Sequence, residues 1–87
     1  MARVRIYTTD YCGYCARAKM LLERLKIPFD EIDVSEDSEA RKMLVSRTGL
    51  RTVPQIFLDE ESLGGFTDLQ DLVRTGRFDA MYSAGAA

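Results

Sequence analysis

Val4-Arg5-Ile6-Tyr7-Thr8 leads through a short polar turn into Cys12-Gly13-Tyr14-Cys15, and the next apolar residues are spaced as Ala18, Leu21, Leu22 and Leu25. Val4, Ile6 and Thr8 alternate with Arg3, Arg5 and Tyr7, which is the period of a strand with one face toward a core. The later four fall at i, i+3, i+4 and i+7, one stripe of a helix. Lys26-Ile27-Pro28 closes that helix, because proline disfavours helical geometry in the residue before it. Phe29 to Val34 then reads as a second strand. Strand, helix and strand within about 30 residues make a βαβ unit, with parallel strands and a right-handed crossover.

The remainder extends this unit. Ser35 or Ser38 is placed to cap a second helix carrying Ala40, Met43 and Leu44 and closed by Gly49. Gln55-Ile56-Phe57-Leu58 is a short third strand, and the polar turn Asp59-Glu60-Glu61 leads to a fourth that ends at Gly64-Gly65. Thr67-Asp68-Leu69-Gln70 fits a helix-capping box, with Leu69, Leu72 and Val73 as the buried stripe and Gly76 as the stop. The expected order is βαβαββα, an α/β fold with a four-stranded mixed sheet and helices on both faces. We expect one domain over residues 1–80 and a flexible tail over 81–87.

Composition narrows the chemistry. Apolar residues form 46% of 87 residues and only two residues are proline, as in a globular chain rather than a disordered one. The two cysteines are three positions apart, so a bridge between them would close a tiny loop and remove little entropy from the unfolded chain. Small secreted scaffolds are denser in cysteine than this. The N-terminal residues enter a strand pattern at once, without a signal peptide or membrane span. Free thiols without an export signal point to the reducing cytoplasm. Net charge is −2 with Lys and Arg spread along the chain, so no nucleic-acid footprint is expected. The absence of histidine removes Cys–His proteases and histidine metal sites, and two cysteines fall short of the four ligands of structural zinc.

Three segments carry chemistry. Cys12-Gly13-Tyr14-Cys15 lies where the first strand ends and the first helix begins. A thiol there faces unpaired backbone N–H groups and the positive end of the helix dipole, and both favour thiolate, the nucleophile of disulfide exchange. Cys15, one turn in, is spaced to attack a mixed disulfide formed on Cys12. Thr52-Val53-Pro54 precedes the third strand, where proline's missing N–H does no harm. A cis bond at Pro54 would turn the Val53 N–H and C=O outward, to pair with a bound peptide as an added strand. Gly64-Gly65-Phe66-Thr67-Asp68 is a turn into a helix start, whose free N–H groups suit a carboxylate while Asp68 suits an ammonium. Together they would hold an amino-acid head, such as the γ-glutamyl end of glutathione.

In this order and spacing the three segments resemble the glutaredoxin family, from Ile6-Tyr7-Thr8 through Ala16-Arg17-Ala18-Lys19 to Gly76. The resemblance implies a thioredoxin-like fold, a cis Pro54, attack by Cys12 and resolution by Cys15. It implies that glutathione lies across Tyr14, Thr52, Val53 and Pro54 and the Gly65-Thr67-Asp68 corner, with Arg41 near the glycyl carboxylate. The activity implied is reduction of protein disulfides and of glutathione mixed disulfides by a monomer, with ribonucleotide reductase and glutathionylated proteins as substrates that family members serve. Two departures stand out. Thr9 occupies a position where many members carry lysine, and Gly13 one where many dithiol members carry proline. Two alternatives accompany this reading. One is an electron donor reduced by thioredoxin reductase. The other is a carrier of a 2Fe–2S cluster, held by Cys12 of each of two subunits and two glutathione sulfurs.

Overall fold

The computed structural model describes residues 2–10 and 12–84. β1 (Val4–Thr8), α1 (Gly13–Arg24) and β2 (Phe29–Asp33) form the expected βαβ unit, β1 and β2 pairing in parallel from Val4↔Phe29 to Thr8↔Asp33. α2 (Ser38–Thr48), β3 (Gln55–Leu58), β4 (Glu61–Gly64) and α3 (Phe66–Arg74) follow in the expected order. β3 lies antiparallel to β1 and β4 antiparallel to β3, giving the mixed sheet β2-β1-β3-β4.

Both faces of the sheet are covered. On one, Val4, Ile6, Ile56, Leu58 and Leu63 meet Ala18 and Leu22 of α1 and Leu69 of α3. On the other, Tyr7 and Phe57 meet Val34 and Leu44, with Ala40 of α2 packed against them. Tyr7 shares its strand face with Arg3 and Arg5 yet is buried, because its ring meets Phe57 edge-on at 5.5 Å under α2. The stripes are narrower than the spacing predicts. Leu25 and Met43 are exposed, since α1 ends at Arg24 and Met43 turns past the edge of its helix's buried face. β2 is an outer strand, and Asp30, Glu31 and Asp33 face water along it, which deters pairing with another chain.

The caps differ from expectation in two places. Asp37, not Ser35 or Ser38, caps α2 by accepting from the Ala40 N–H at 3.0 Å. The capping box of α3 begins at Gly65 rather than Thr67, with the Asp68 carboxylate accepting from the Gly65 N–H at 3.0 Å. Gly49 closes α2 as expected, at φ 74°, a conformation glycine adopts without steric cost.

The chief correction is at the C-terminus. A fourth helix, α4 (Arg77–Ala84), follows Gly76, so the boundary drawn after residue 80 falls inside it. Phe78 is fully buried in the larger core, Tyr82 stacks on it at 6.0 Å, and the Tyr82 carbonyl accepts from the Ala2 N–H at 2.9 Å. Residues 85–87 of the expected tail lie outside the described residues. A chain ended after Ala80 is expected to lose about 2 kcal/mol relative to one ended after Ala84, through lost packing of Met81 and Tyr82. Urea denaturation of the two truncations checks this, and equal midpoints would show that the last turn adds nothing.

Candidate active site

Cys12 is the N-cap of α1, with extended backbone at φ −105° and ψ 111°. Helix N-caps are usually Ser, Thr, Asp or Asn, whose oxygen satisfies an orphan N–H. Here sulfur does so: the Cys15 N–H donates to Cys12 Sγ at 3.2 Å. A thiolate at this position would have a donor already aimed at it. The Cys12 thiol in turn donates to the Val53 carbonyl at 3.3 Å, which joins the first of the three segments to the second.

The second segment meets the third. The Val53–Pro54 bond is cis. A Cβ added at Gly65 would stand 3.5 Å from the Pro54 carbonyl oxygen, so the two backbones run side by side. The Val53 carbonyl is engaged by Cys12, whereas its N–H has no partner among the described residues. Thr52 is exposed, and its carbonyl accepts from Gln55 Nε2 at 3.0 Å. At the third segment Gly64 has φ 92°, and a side chain there would collide with the Asp68 carboxylate. Asp68 and Thr67 are exposed. Tyr14 is 57% exposed and leans on Phe66 with ring centroids 6.1 Å apart, forming the wall between α1 and α3.

Arg41 stands apart. Its Nη1 donates to the carbonyls of Val34 and Ser35 at 2.7 and 2.6 Å, tying α2 to the chain leaving β2. No described contact joins it to Cys12, Val53 or Asp68. The described residues bring no three His, Cys, Asp or Glu side chains together as a metal site.

The two cysteines occupy opposite environments. Cys12 is half-buried at the mouth of the helix, and Cys15 is 1% exposed beneath it. Burial first, and then hydrogen bonding with Cys12, push the Cys15 thiol up to about 12; a backbone hydrogen bond from Thr9 and the charge of Lys19 pull the other way. Lys19 is held by Glu31 at 3.0 Å, and Thr8 Oγ1 donates to the same carboxylate oxygen at 2.8 Å. The Lys19 hydrogen bond is the main cause that lowers the Glu31 carboxyl, and its reciprocal raises the Lys19 ammonium.

One contributor escaped the sequence reading. Gln55, 1% exposed, accepts from Thr48 Oγ1 and donates to the Leu50 and Thr52 carbonyls, so it fixes the loop that carries Val53. Its signal was a lone amide at the head of an apolar strand. Thr9 Oγ1 is buried and has no hydrogen-bond partner among the described residues. That hydroxyl stands where a lysine was noted as missing.

Reduced, folded protein treated with iodoacetamide at about pH 8 is expected to alkylate at Cys12 alone, and at both sulfurs in denaturant. Peptide mapping decides it. Native labelling of Cys15 at a similar rate would contradict the burial and the raised thiol described here.

A family model described as Glutaredoxin matches residues 4–63. The glutaredoxin of Pseudomonas aeruginosa is 46% identical over 84 residues, covering 97% of this chain and all of that protein. The solution structure of glutaredoxin from Brucella melitensis superposes with a TM-score of 0.87 at 42% identity, covering 100% of this chain and 95% of that one. The crystal structure of a buckwheat glutaredoxin–glutathione complex superposes with a TM-score of 0.86 at 28% identity, covering 98% and 83%.

Proposed function

The chain belongs to the glutaredoxin family, whose members are thiol–disulfide oxidoreductases, and from that premise we propose that it is a glutathione-dependent one in which Cys12 attacks and Cys15 resolves. One observation carries the reading: Cys12 Sγ caps α1, accepting from the Cys15 N–H beside the Val53 backbone, while Cys15 lies buried one turn below.

With a glutathionylated protein, the Cys12 thiolate attacks the glutathione sulfur and expels the protein thiolate, which takes up a proton. A second glutathione, as thiolate, attacks the glutathionyl sulfur on Cys12, releasing oxidised glutathione and restoring Cys12. With a protein disulfide, Cys12 forms a mixed disulfide with one protein sulfur and the other leaves. Cys15 then loses its proton and attacks Cys12 Sγ, freeing the second protein thiol, and two glutathiones reduce the Cys12–Cys15 bond. Burial raises the Cys15 thiol, so on the second route its proton must leave as Cys15 attacks Cys12 Sγ.

Glutathione is recognised by its two ends and its backbone. The unpartnered Val53 N–H is available to its cysteinyl carbonyl as an added strand. The start of α3 receives the γ-glutamyl carboxylate beside Gly65 on the N–H and hydroxyl of Thr67, and Asp68, which caps the Gly65 N–H, takes the ammonium. Pro54, Thr52 and Tyr14 shape the channel, and Arg41 adds positive charge on the α2 side. The buckwheat protein's complex with glutathione and the three adjoining segments of this chain support this reading over reduction by thioredoxin reductase. Two thiols of its own favour an oxidoreductase over a cluster carrier.

Two measurements test the proposal. Cys12→Ser is expected to abolish all exchange, whereas Cys15→Ser loses protein-disulfide reduction and keeps removal of glutathione from mixed disulfides; the reverse pattern would assign the roles wrongly. Asp68→Asn leaves an oxygen to cap the Gly65 N–H but removes the charge. It should raise KM for a glutathionylated substrate by an amount matching about 1–3 kcal/mol, with the melting temperature nearly unchanged. An unchanged KM would remove Asp68 from the site.

A further inference from the structure

α1 and α3 leave a groove between them that the proposed glutathione site does not use. Arg17, Met20, Leu21, Arg24, Phe66 and Gln70 line a cavity of about 180 Å³ that opens to solvent. Leu21 and Phe66 pack against the larger core, so the floor is fixed. Met20 is 57% exposed on its rim. The groove continues to the reactive sulfur: Phe66 contacts Tyr14, and the Arg17 guanidinium lies 5.3 Å from the Tyr14 ring centroid, two residues from Cys12.

Its charge is one-sided. No carboxylate lines the groove, in a chain with 14 acidic residues and a net charge of −2. Arg17 and Arg24 take no ion pair among the described residues, whereas Arg3, Arg5, Lys19, Lys42, Arg47 and Arg74 each face a carboxylate. Seven residues apart on one helix, the two arginines are about 10 Å apart along the axis and bracket the apolar strip. A peptide in the polyproline II conformation covers about that distance in three residues and returns its side chain to the same side.

We propose that this groove docks an acidic–apolar segment of the protein whose disulfide is reduced, with carboxylates on Arg17 and Arg24 and apolar side chains between them on Met20, Leu21 and Phe66. The inference rests on the reading of Cys12 given above and adds which protein substrates it favours. Small glutathionylated thiols have nothing to place in the groove and gain nothing from it.

The test uses glutathionylated peptides carrying Glu-Leu-Leu-Glu, Gln-Leu-Leu-Gln or Lys-Leu-Leu-Lys two to four residues from the cysteine, on either side of it. The wild-type protein should show a kcat/KM about 3- to 10-fold higher for the acidic peptide than for the glutamine one, the size expected of two solvent-facing ion pairs. That advantage should shrink as salt rises. Arg24→Glu should erase it and favour the lysine peptide, while turning over glutathionylated mercaptoethanol as the wild type does. Equal rates for the three peptides, or an acidic preference that survives in Arg24→Glu, would overturn the groove's role while the small substrate is still consumed. No turnover of the small substrate by the wild type would overturn the reading of the site and this inference with it. Self-association that Arg24→Glu disperses in sedimentation would give the groove to a second copy of the chain and overturn the proposal.

Discussion

A helix must begin somewhere, and its first N–H groups need acceptors that the helix itself cannot provide. In this protein the acceptor at the start of α1 is a sulfur. Much of the site follows from that one constraint. The crossover between parallel strands brings α1 up at the end of β1, and Cys12 arrives at the cap with its neighbours already set: the Val53 carbonyl across from it, Cys15 below, Tyr14 beside it. The bond that stabilises the helix end is also the bond that aims a donor at the Cys12 sulfur.

The same turn of helix places the two thiols in different environments. Three residues move the side chain from the rim of the helix to its buried face, so one sulfur meets solvent and the other meets the core. Proton release from Cys15 is opposed by burial and helped only by Thr9's backbone and by Lys19, which is itself committed to Glu31. The difference in burial between the two cysteines is thus a consequence of helical periodicity.

The βαβ unit was legible because its period changes sharply from two to 3.6 at the cysteine pair, and the pairing of β1 with β2 follows that reading strand for strand. Caps were less legible. Ser35, Glu36, Asp37 and Ser38 offer several competent side chains in a row, and only the backbone direction leaving β2 selects Asp37. α4 was missed although Phe78, Met81 and Tyr82 hold an i, i+3, i+4 stripe, because Gly76 read as a terminus rather than as a hinge between two helices. The site's parts were legible as three segments, but not their joints. The contact of Cys12 with Val53, the approach of Pro54 to Gly65 and the work of Gln55 in the loop all span the sheet, where no local pattern reports them. Arg41 adds a joint that no local pattern reports: its Nη1 ties α2 to the backbone leaving β2.

The hydrogen bond from Ala2 to Tyr82 has a topological consequence. It brings the two ends of the described chain within bonding distance, so the backbone is nearly a closed ring whose opening falls outside the three segments that meet at Cys12. A short linker across that gap would join the ends, and the ring could then be cut at an exposed turn such as the one between β3 and β4. A chain cut there would leave intact the turn between β1 and α1 that carries Cys12, because that turn is set by the crossover between parallel strands and not by its distance from a terminus.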